Sequence, residues 1–225
     1  AKAAPQPGTK SVLFIEWNAL SEAVDRFSLD RRLLHENTES AANHFESHAE
    51  MDCLSLNIPD ASDEIEANPT RVSIFITESC LAFVHQPSRA VDALVARMDD
   101  ASSDPLPFEQ VLNTFLNRLT AKDGEKLEDM EESIALLEDA IAEDEKEEDL
   151  QKVSALRKVL LKKKRYYESL QDALEDMEEN ENAFYTQQQL RSLRIITNRV
   201  NRQFHSVLNL RDYVTQVRES YQAQM

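Results

Sequence analysis

The final part of the chain, residues 185–225, carries an apolar residue at almost every seventh position, and a second series follows three residues later. This spacing is typical of a coiled-coil seam and continues for about four to five heptads. No proline or glycine interrupts it, so we predict one helix of about 60 Å. The first series is Leu193, Val200, Val207, Val214 and Tyr221, and the second is Ile196, Gln203, Leu210, Val217 and Gln224.

A small globular domain has too little surface to bury a helix of this length along its whole side. We therefore expect the helix, which we call the stalk, to leave the globular part or to pack against copies of itself. The heptad pattern is still running at Met225, and no helix-stop signal ends it. We expect the stalk to lead into a further segment.

The composition excludes several classes of protein. The 225 residues carry a net charge of −17, whereas general nucleic-acid binding needs a basic surface. The two glycines are too few for a nucleotide-binding loop. No run of about 18 apolar residues and no signal peptide are present, so we predict no membrane span. Cys53 and Cys80 lie in apolar runs without a CxxC pattern, and we expect free thiols.

The first half of the chain predicts a small domain of the α+β class, an α/β sandwich with a mixed sheet, over residues 11–122. The clearest signal is a β-hairpin, in which two β-rich runs flank Glu78 and Ser79. The predicted strands are residues 11–17, 51–58, 71–77 and 80–85. The predicted helices are residues 19–27, 88–98 and 108–119, with one or two short polar helices over 29–48.

After Gly124 the apolar residues follow a helical 3-4 spacing on both sides of an acidic turn at residues 143–149. This pattern predicts an antiparallel helical hairpin over residues 123–180, followed by the stalk over 183–225. The outgoing arm is acidic, whereas the returning arm begins with basic residues. We expect electrostatic attraction between the two arms.

Two clusters carry residue types that bind metals. His44 and His48 would share one face of a helix, with Glu46 between them, but the spacing does not match the HExxH or HxxEH proteases. A polar helix surface is the simpler interpretation. The acidic loop that contains Asp60, Asp63, Glu64 and Glu66 offers hard oxygen ligands for Mg²⁺ or Ca²⁺, and a solvated loop is its alternative. No motif supports catalysis, so we predict that the chain is not an enzyme.

Four segments together resemble the cytoplasmic portion of the CorA family of divalent metal ion transporters. The family's Gly-Met-Asn motif follows its first membrane helix and is absent here, as expected for a portion that ends before that helix. The sheet hairpin of the family resembles VSIFITESCLAFVHQP at 72–87. Its paired helices resemble FLNRLTAKDGEKLEDMEESIALLEDAI at 115–141 and LRKVLLKKKRYYESL at 156–170. The end of its stalk resembles LNLRDYVTQVRESYQAQM at 208–225.

The resemblance implies a homopentamer in the cell (inner) membrane, with this portion in the cytoplasm and no nucleic-acid partner. Five stalk helices would continue into membrane helices, and the α/β domains would form a funnel. Divalent cations bound between subunits would hold the funnel closed, and their loss would open it. The resemblance implies Mg²⁺ as the regulatory and transported ion, with Zn²⁺ and Co²⁺ as alternatives.

The resemblance also implies an ion site that pairs an acid of the α/β domain with an aspartate in the middle of a neighbouring stalk. Asp60 and Asp63 are the matching acids in the α/β domain, but stalk residues 193–197 contain no acid. Asp212 and Glu219 match acidic stalk positions nearer the membrane and would attract cations toward the pore. The arginines of the stalk middle would repel a cation; they are Arg191, Arg194, Arg199 and Arg202.

Two hypotheses for function follow. The first is a cytoplasmic regulatory domain that senses divalent ions and gates a CorA-like transporter. The alternative is a soluble scaffold or adaptor without a transport role, in which the stalk serves only as an oligomerising coiled coil. Gln203 and Gln224 interrupt the seam, so we expect weak or ion-dependent assembly under the first hypothesis.

Overall fold

A computed structural model describes residues 10–19, 42–59, 69–99, 106–143 and 147–224 of the chain. Three predictions fall largely outside these residues. They are the helix at 19–27, the polar helices up to residue 41, and the acidic loop with Asp60 and Asp63.

The predicted mixed sheet is confirmed. Its five strands lie in the order β1-β5-β4-β3-β2. β1 pairs with β5 in parallel, and the other neighbouring pairs are antiparallel, including the predicted β4–β5 hairpin. The strands are β1 (Ser11–Glu16), β2 (His44–His48), β3 (Met51–Ile58), β4 (Thr70–Ile76) and β5 (Cys80–His85).

The sheet is buried on both faces because its strands alternate between two apolar clusters. On β5, Leu81 and Phe83 face a large core that is shared with the helices. Ala82 and Val84 face a second cluster on the opposite side of the sheet. This two-sided burial explains why strands β3 to β5 are nearly continuous apolar runs.

The prediction of a helix that ends at His48 is wrong, because His44–His48 form the edge strand β2. Phe45 packs against the large core, and its neighbours His44 and Glu46 lie on the other face. The polar composition suggested a surface helix, but pairing with β3 decides the structure of this segment.

Within the described residues, five α-helices follow the sheet, and a short 3₁₀ turn (Trp17–Ala19) follows β1. The helices predicted over 88–98 and 108–119 and the two arms of the helical hairpin are all present, each within about three residues of its predicted ends. The helices are α1 (Arg89–Asp99), α2 (Phe108–Thr120), α3 (Asp123–Glu143), α4 (Glu147–Glu179) and the stalk helix α5 (Gln187–Gln224).

The stalk helix is buried along its seam by its own chain, which corrects the expectation that it would leave the globular part or pack only on copies. From Leu193 to Tyr221 the seam positions of both apolar series are at most 7% exposed. They belong to the same core as the sheet and the other helices. The domain buries this long helix because α3 and α4 extend along it and form a three-helix bundle.

The two arms of the predicted hairpin contact each other less than each contacts α5. Two ion pairs of α4 are local, since Lys152 pairs with Asp149 at 2.7 Å and Lys164 pairs with Glu168 at 2.9 Å. The arms are therefore held together mainly through the stalk helix. None of the helices in the described ranges has the length and apolarity needed to cross a bilayer.

Candidate functional site

The predicted stalk acids Asp212 and Glu219 lie on the exposed surface of α5. Asp212 forms an ion pair with Arg211, whose Nη2 lies 3.2 Å from Asp212 Oδ1. The two acids are seven residues apart, or about 10 Å along the helix axis. That distance is too long for one ion to bind both acids within one chain.

These two acids end a row of exposed side chains that follows the whole length of α5. The row repeats with alternating spacings of four and three residues, as the buried seam does, but on another face of the helix. We call it the outer stripe. Its members are Arg191, Ile195, Asn198, Arg202, His205, Asn209, Asp212, Gln216 and Glu219.

Two arginines of the stalk middle bind groups of their own chain. Arg194 Nε lies 3.3 Å from Glu178 Oε2 on α4, and Thr197 donates a hydrogen bond to the other oxygen of Glu178 at 2.6 Å. Arg199 Nη1 donates to Asn117 Oδ1 at 2.8 Å. Arg194 and Arg199 therefore have a structural role within the chain, in addition to the repulsion of cations that the sequence suggested.

The C-terminal end of α2 is capped by side chains of the stalk helix. Arg199 Nη1 lies 3.3 Å from both the Asn117 carbonyl oxygen and Thr120 Oγ1. Gln203 Nε2 donates to the Thr120 carbonyl oxygen at 3.0 Å. Free carbonyls at the end of a helix attract donors and positive charge. Gln203, the polar residue that interrupts the apolar seam, therefore joins the stalk helix to the α/β domain.

A buried polar cluster joins the sheet to the turn between α4 and α5; we call Ser47, Asp52 and Asn182 the Asp52 cluster. Asp52 is 1% exposed, and its Oδ1 accepts hydrogen bonds from Ser47 Oγ at 2.8 Å and from Asn182 Nδ2 at 2.7 Å. Its Oδ2 is buried and, in the described structure, has no hydrogen-bond partner. Burial raises the pKa of Asp52, although these two hydrogen bonds oppose the shift.

The turn that carries Asn182 has an unusual backbone. Asn180 and Ala183 have positive φ values of 52° and 55°. Asn180 Oδ1 accepts a hydrogen bond from the Tyr185 amide, and Asn180 Nδ2 donates to the Tyr185 carbonyl oxygen, both at 3.0 Å. Asparagine tolerates the left-handed conformation well. The turn thus sets the direction in which the stalk helix begins.

His44, Glu46 and His48 share one face of the edge strand β2. His44 Nε2 lies 3.9 Å from one oxygen of Glu46, and His48 Nε2 lies 3.3 Å from the other. The side chains of the two histidines are therefore arranged around the carboxylate. Across the described ranges of the chain, no three histidine, cysteine or carboxylate side chains are arranged to hold a metal ion.

The remaining candidate acids, Asp60 and Asp63, lie between β3 and β4 and outside the described residues. Both cysteines are free, as predicted, with Cys53 buried and Cys80 half-buried. Burial raises the pKa of both thiols.

A family sequence model described as "CorA-like Mg2+ transporter protein" matches residues 12–225. The chain belongs to this family. The match begins in β1 and extends through the stalk helix, so it includes every element described above. A comparison with curated proteins gives no match.

Solved structures agree with the CorA fold of this chain. The ZntB cytoplasmic domain from Vibrio parahaemolyticus is 17% identical, with a TM-score of 0.73 over 92% of this chain and 83% of that one. The soluble domain of CorA from Methanocaldococcus jannaschii is 15% identical, with a TM-score of 0.77 over 92% and 86%. The complete CorA magnesium transporter of that organism is 13% identical, with a TM-score of 0.82 over 100% and 73%.

Sequence patterns do not identify the residues that fix the stalk of this CorA-family chain to its α/β domain. The contacts of Asp52 with Asn182 and of Gln203 with Thr120 join residues 130 and 83 positions apart. A polar residue within an apolar pattern was the signal available for Asp52 and Gln203. Asn182 lies in a polar linker and gave no such signal.

Proposed function

We propose that this chain is the cytoplasmic regulatory part of a divalent-cation transporter, and that its copies assemble around their stalk helices. The outer stripe of α5 supports this proposal. Its nine positions are exposed, whereas the apolar seam of the same helix is buried within the chain. A repeating row of exposed side chains along a rigid helix gives parallel copies a matching surface.

The charges of the outer stripe suggest where cations act. Arg191 and Arg202 lie in its N-terminal half, and Asp212 and Glu219 lie in its C-terminal half. In parallel copies around an axis, like residues come near each other, so the acids would form rings of negative charge. A divalent cation would relieve that repulsion, because carboxylate oxygens are suitable ligands for it.

The ion thereby favours one assembled state, and its loss favours another. This is a shift in population that follows from the different affinities of the two states for the ion. In the proposal, Asp212 and Glu219 attract cations toward the transport path, and Asp60 and Asp63 supply further ligands from the α/β domain. We propose that the ion is Mg²⁺, and that Zn²⁺ and Co²⁺ are the alternatives to compare with it. We also propose that the assembly is a pentamer and that it lies on the cytoplasmic side of the membrane.

The scaffold hypothesis loses its main support. It required the apolar heptad seam to be free for oligomerisation, but that seam forms the core of the chain itself. Assembly through the polar outer stripe is expected to be weak or ion-dependent, because a polar seam lowers the affinity of a coiled coil. A regulatory domain that responds to ions can use such an assembly, whereas a permanent scaffold needs a stronger one.

The test is the mass of the chain in solution, measured by sedimentation velocity. We compare EDTA with millimolar Mg²⁺, millimolar Co²⁺ and micromolar Zn²⁺, each against sodium chloride of equal ionic strength. We expect at least one divalent ion to change the mass beyond the sodium control. In the variant Asp212→Asn with Glu219→Gln, we expect the mass to be the same with and without that ion.

The chain offers a matched control on another helix. Asp172 and Glu179 are an exposed aspartate and glutamate on α4 with the same spacing of seven residues. Asp172→Asn with Glu179→Gln should leave the ion response unchanged. An ion response that survives in the stalk variant, or no ion response in the wild-type chain, would contradict the proposal.

A further inference from the structure

Charge is separated between the two helices that flank the stalk. The exposed side of α3 is acidic; we call it the acidic face, and it consists of Glu125, Glu128, Asp129, Glu131, Glu132, Glu138 and Asp139. The first half of α4 exposes positive charge; we call Arg157, Lys158 and Arg165 the basic band. The two regions are long, of opposite sign, and borne by neighbouring helices of one bundle.

The acidic face and the basic band lie at the same level of the stalk. Glu138 of α3 accepts a hydrogen bond from Tyr213 Oη at 2.5 Å. On α4, Lys164 Nζ lies 5.8 Å from the centre of the Phe204 ring. Because α4 runs antiparallel to α5, the basic band covers the stalk from about residue 204 toward residue 211. The acidic face covers the same section of α5.

The two regions lie on opposite flanks of the stalk helix. α3 contacts α5 at Tyr213, and α4 contacts it at Phe204. These positions are nine residues apart, which is about two and a half turns at 3.6 residues per turn. One copy therefore presents negative charge on one side and positive charge on the other, at equal height.

A groove beside the acidic face has room for a long side chain. It lies between α3 and α5 and has a volume of about 600 Å³. Glu128 and Glu131 line it, together with Gln203, whose Oε1 is buried and has no donor in the described structure. Arg199 and Arg202 also line it, but Arg199 is bound to Asn117. The two exposed carboxylates at its α3 edge suit a lysine or arginine side chain.

We propose that the basic band of one copy docks on the acidic face and groove of the next copy. The occupant is a second copy of this chain, since parallel copies around an axis bring these regions together at the same height. Such a contact joins two different surfaces and repeats around a ring until the ring closes. The inference rests on the proposed assembly around the stalk, and it adds that α4 of one copy contacts α3 of the next.

The test uses charge reversal in the full chain. One variant carries Arg157→Glu, Lys158→Glu and Arg165→Glu, and the other carries Glu128→Lys, Glu131→Lys and Glu132→Lys. We expect each variant alone to assemble at least about tenfold more weakly than the wild-type chain, because attraction becomes repulsion at several pairs. We expect an equimolar mixture to recover assembly, because each basic surface again meets an acidic one.

A control separates this contact from a change in net charge. Asp172→Lys, Asp176→Lys and Glu179→Lys change the charge as much as the α3 variant does, on an exposed part of α4 outside the basic band. This control should assemble like the wild-type chain. Circular dichroism and melting temperature show that each variant is folded, and added salt should weaken wild-type assembly.

The outcomes distinguish the two proposals. If the wild-type chain assembles with a divalent ion but both charge variants assemble equally well, the docking contact is wrong and the proposed function stands. A mixture that assembles no better than either variant alone also overturns the contact. A wild-type chain that stays monomeric with every ion overturns both proposals.

Discussion

Asn182 Nδ2 donates hydrogen bonds to Asp52 Oδ1 at 2.7 Å and to the His48 carbonyl oxygen at 2.6 Å. These contacts join the turn before the stalk helix to the β2–β3 hairpin, 130 positions away in sequence for Asp52. One amide group thus joins the turn before the stalk helix to the β2–β3 hairpin. If the stalk changes its angle, either the hairpin moves with it or these hydrogen bonds break.

We expect Asn182→Ala to destabilise the chain by about 1–3 kcal/mol, because the buried Asp52 carboxylate loses a donor. Chemical denaturation measures this change. Glu179→Ala, at an exposed position at the end of α4, serves as the control and should stay within about 0.5 kcal/mol of the wild-type chain. Equal stabilities for the two variants would show that the contact with Asp52 contributes little.

The pH dependence of stability should carry the signature of Asp52. Burial raises its pKa above the ordinary value of 3.8, so the folded chain holds this proton more tightly than the unfolded chain does. The contribution of Asp52 to stability is therefore greatest below pH 3.8 and falls as pH rises through the raised pKa.

Asp52→Asn removes this titration and keeps an acceptor for Ser47 and Asn182. We expect the melting temperature of the variant, relative to the wild-type chain, to increase from a pH below the ordinary aspartate pKa of 3.8 up to neutral pH. A constant difference across this range would mean that Asp52 has the same pKa in the folded and unfolded chains.

Leu193 and Ile195 provide a test of the stalk's burial, because they are two residues apart and are 1% and 62% exposed. Leu193→Ala should cost about 2–5 kcal/mol, and Ile195→Ala should cost less than about 0.5 kcal/mol. The cost at Leu193 should not depend on protein concentration, because its partners belong to the same chain. A cost that vanishes on dilution would place Leu193 in a contact between copies.

The link between the stalk and α2 should depend on Gln203. Gln203→Leu leaves the buried Thr120 carbonyl oxygen without its donor, and we expect a loss of about 1–3 kcal/mol. Arg202→Ala changes the neighbouring exposed residue and should have little effect. Hydrogen exchange at the end of α2 should increase in the Gln203 variant alone. Equal exchange in both variants would contradict the capping role.

The sequence predicted most elements of this fold because their patterns are local. The strands of the β4–β5 hairpin are continuous apolar runs that are buried on both faces, and each helix of the bundle buries one apolar stripe. The strand β2 was missed because five polar-rich residues become a strand only through pairing with β3. The sequence also did not show that the stalk seam is buried by its own chain, because a heptad pattern indicates burial but not which partner provides it.

For the candidate site, the sequence offers candidate acids but no geometry. Asp212 and Glu219 were named because they match acidic stalk positions of the CorA family, and the structure adds that both belong to the outer stripe. The capping role of Arg199 depends on α2, some 80 residues earlier in the chain. No local pattern encodes a contact over that distance.

Thiol cross-linking can test whether the outer stripe of α5 faces its counterparts in neighbouring copies. Gln216 lies on the stripe between the two acids, and Arg218, two residues further on, is also exposed but lies off it. With Cys80 replaced by serine and a divalent ion present, Gln216→Cys should form covalent dimers with a short bifunctional maleimide, and Arg218→Cys should form far fewer. Equal yields at the two positions, or a higher yield at Arg218, would show that the stripe does not face its counterparts.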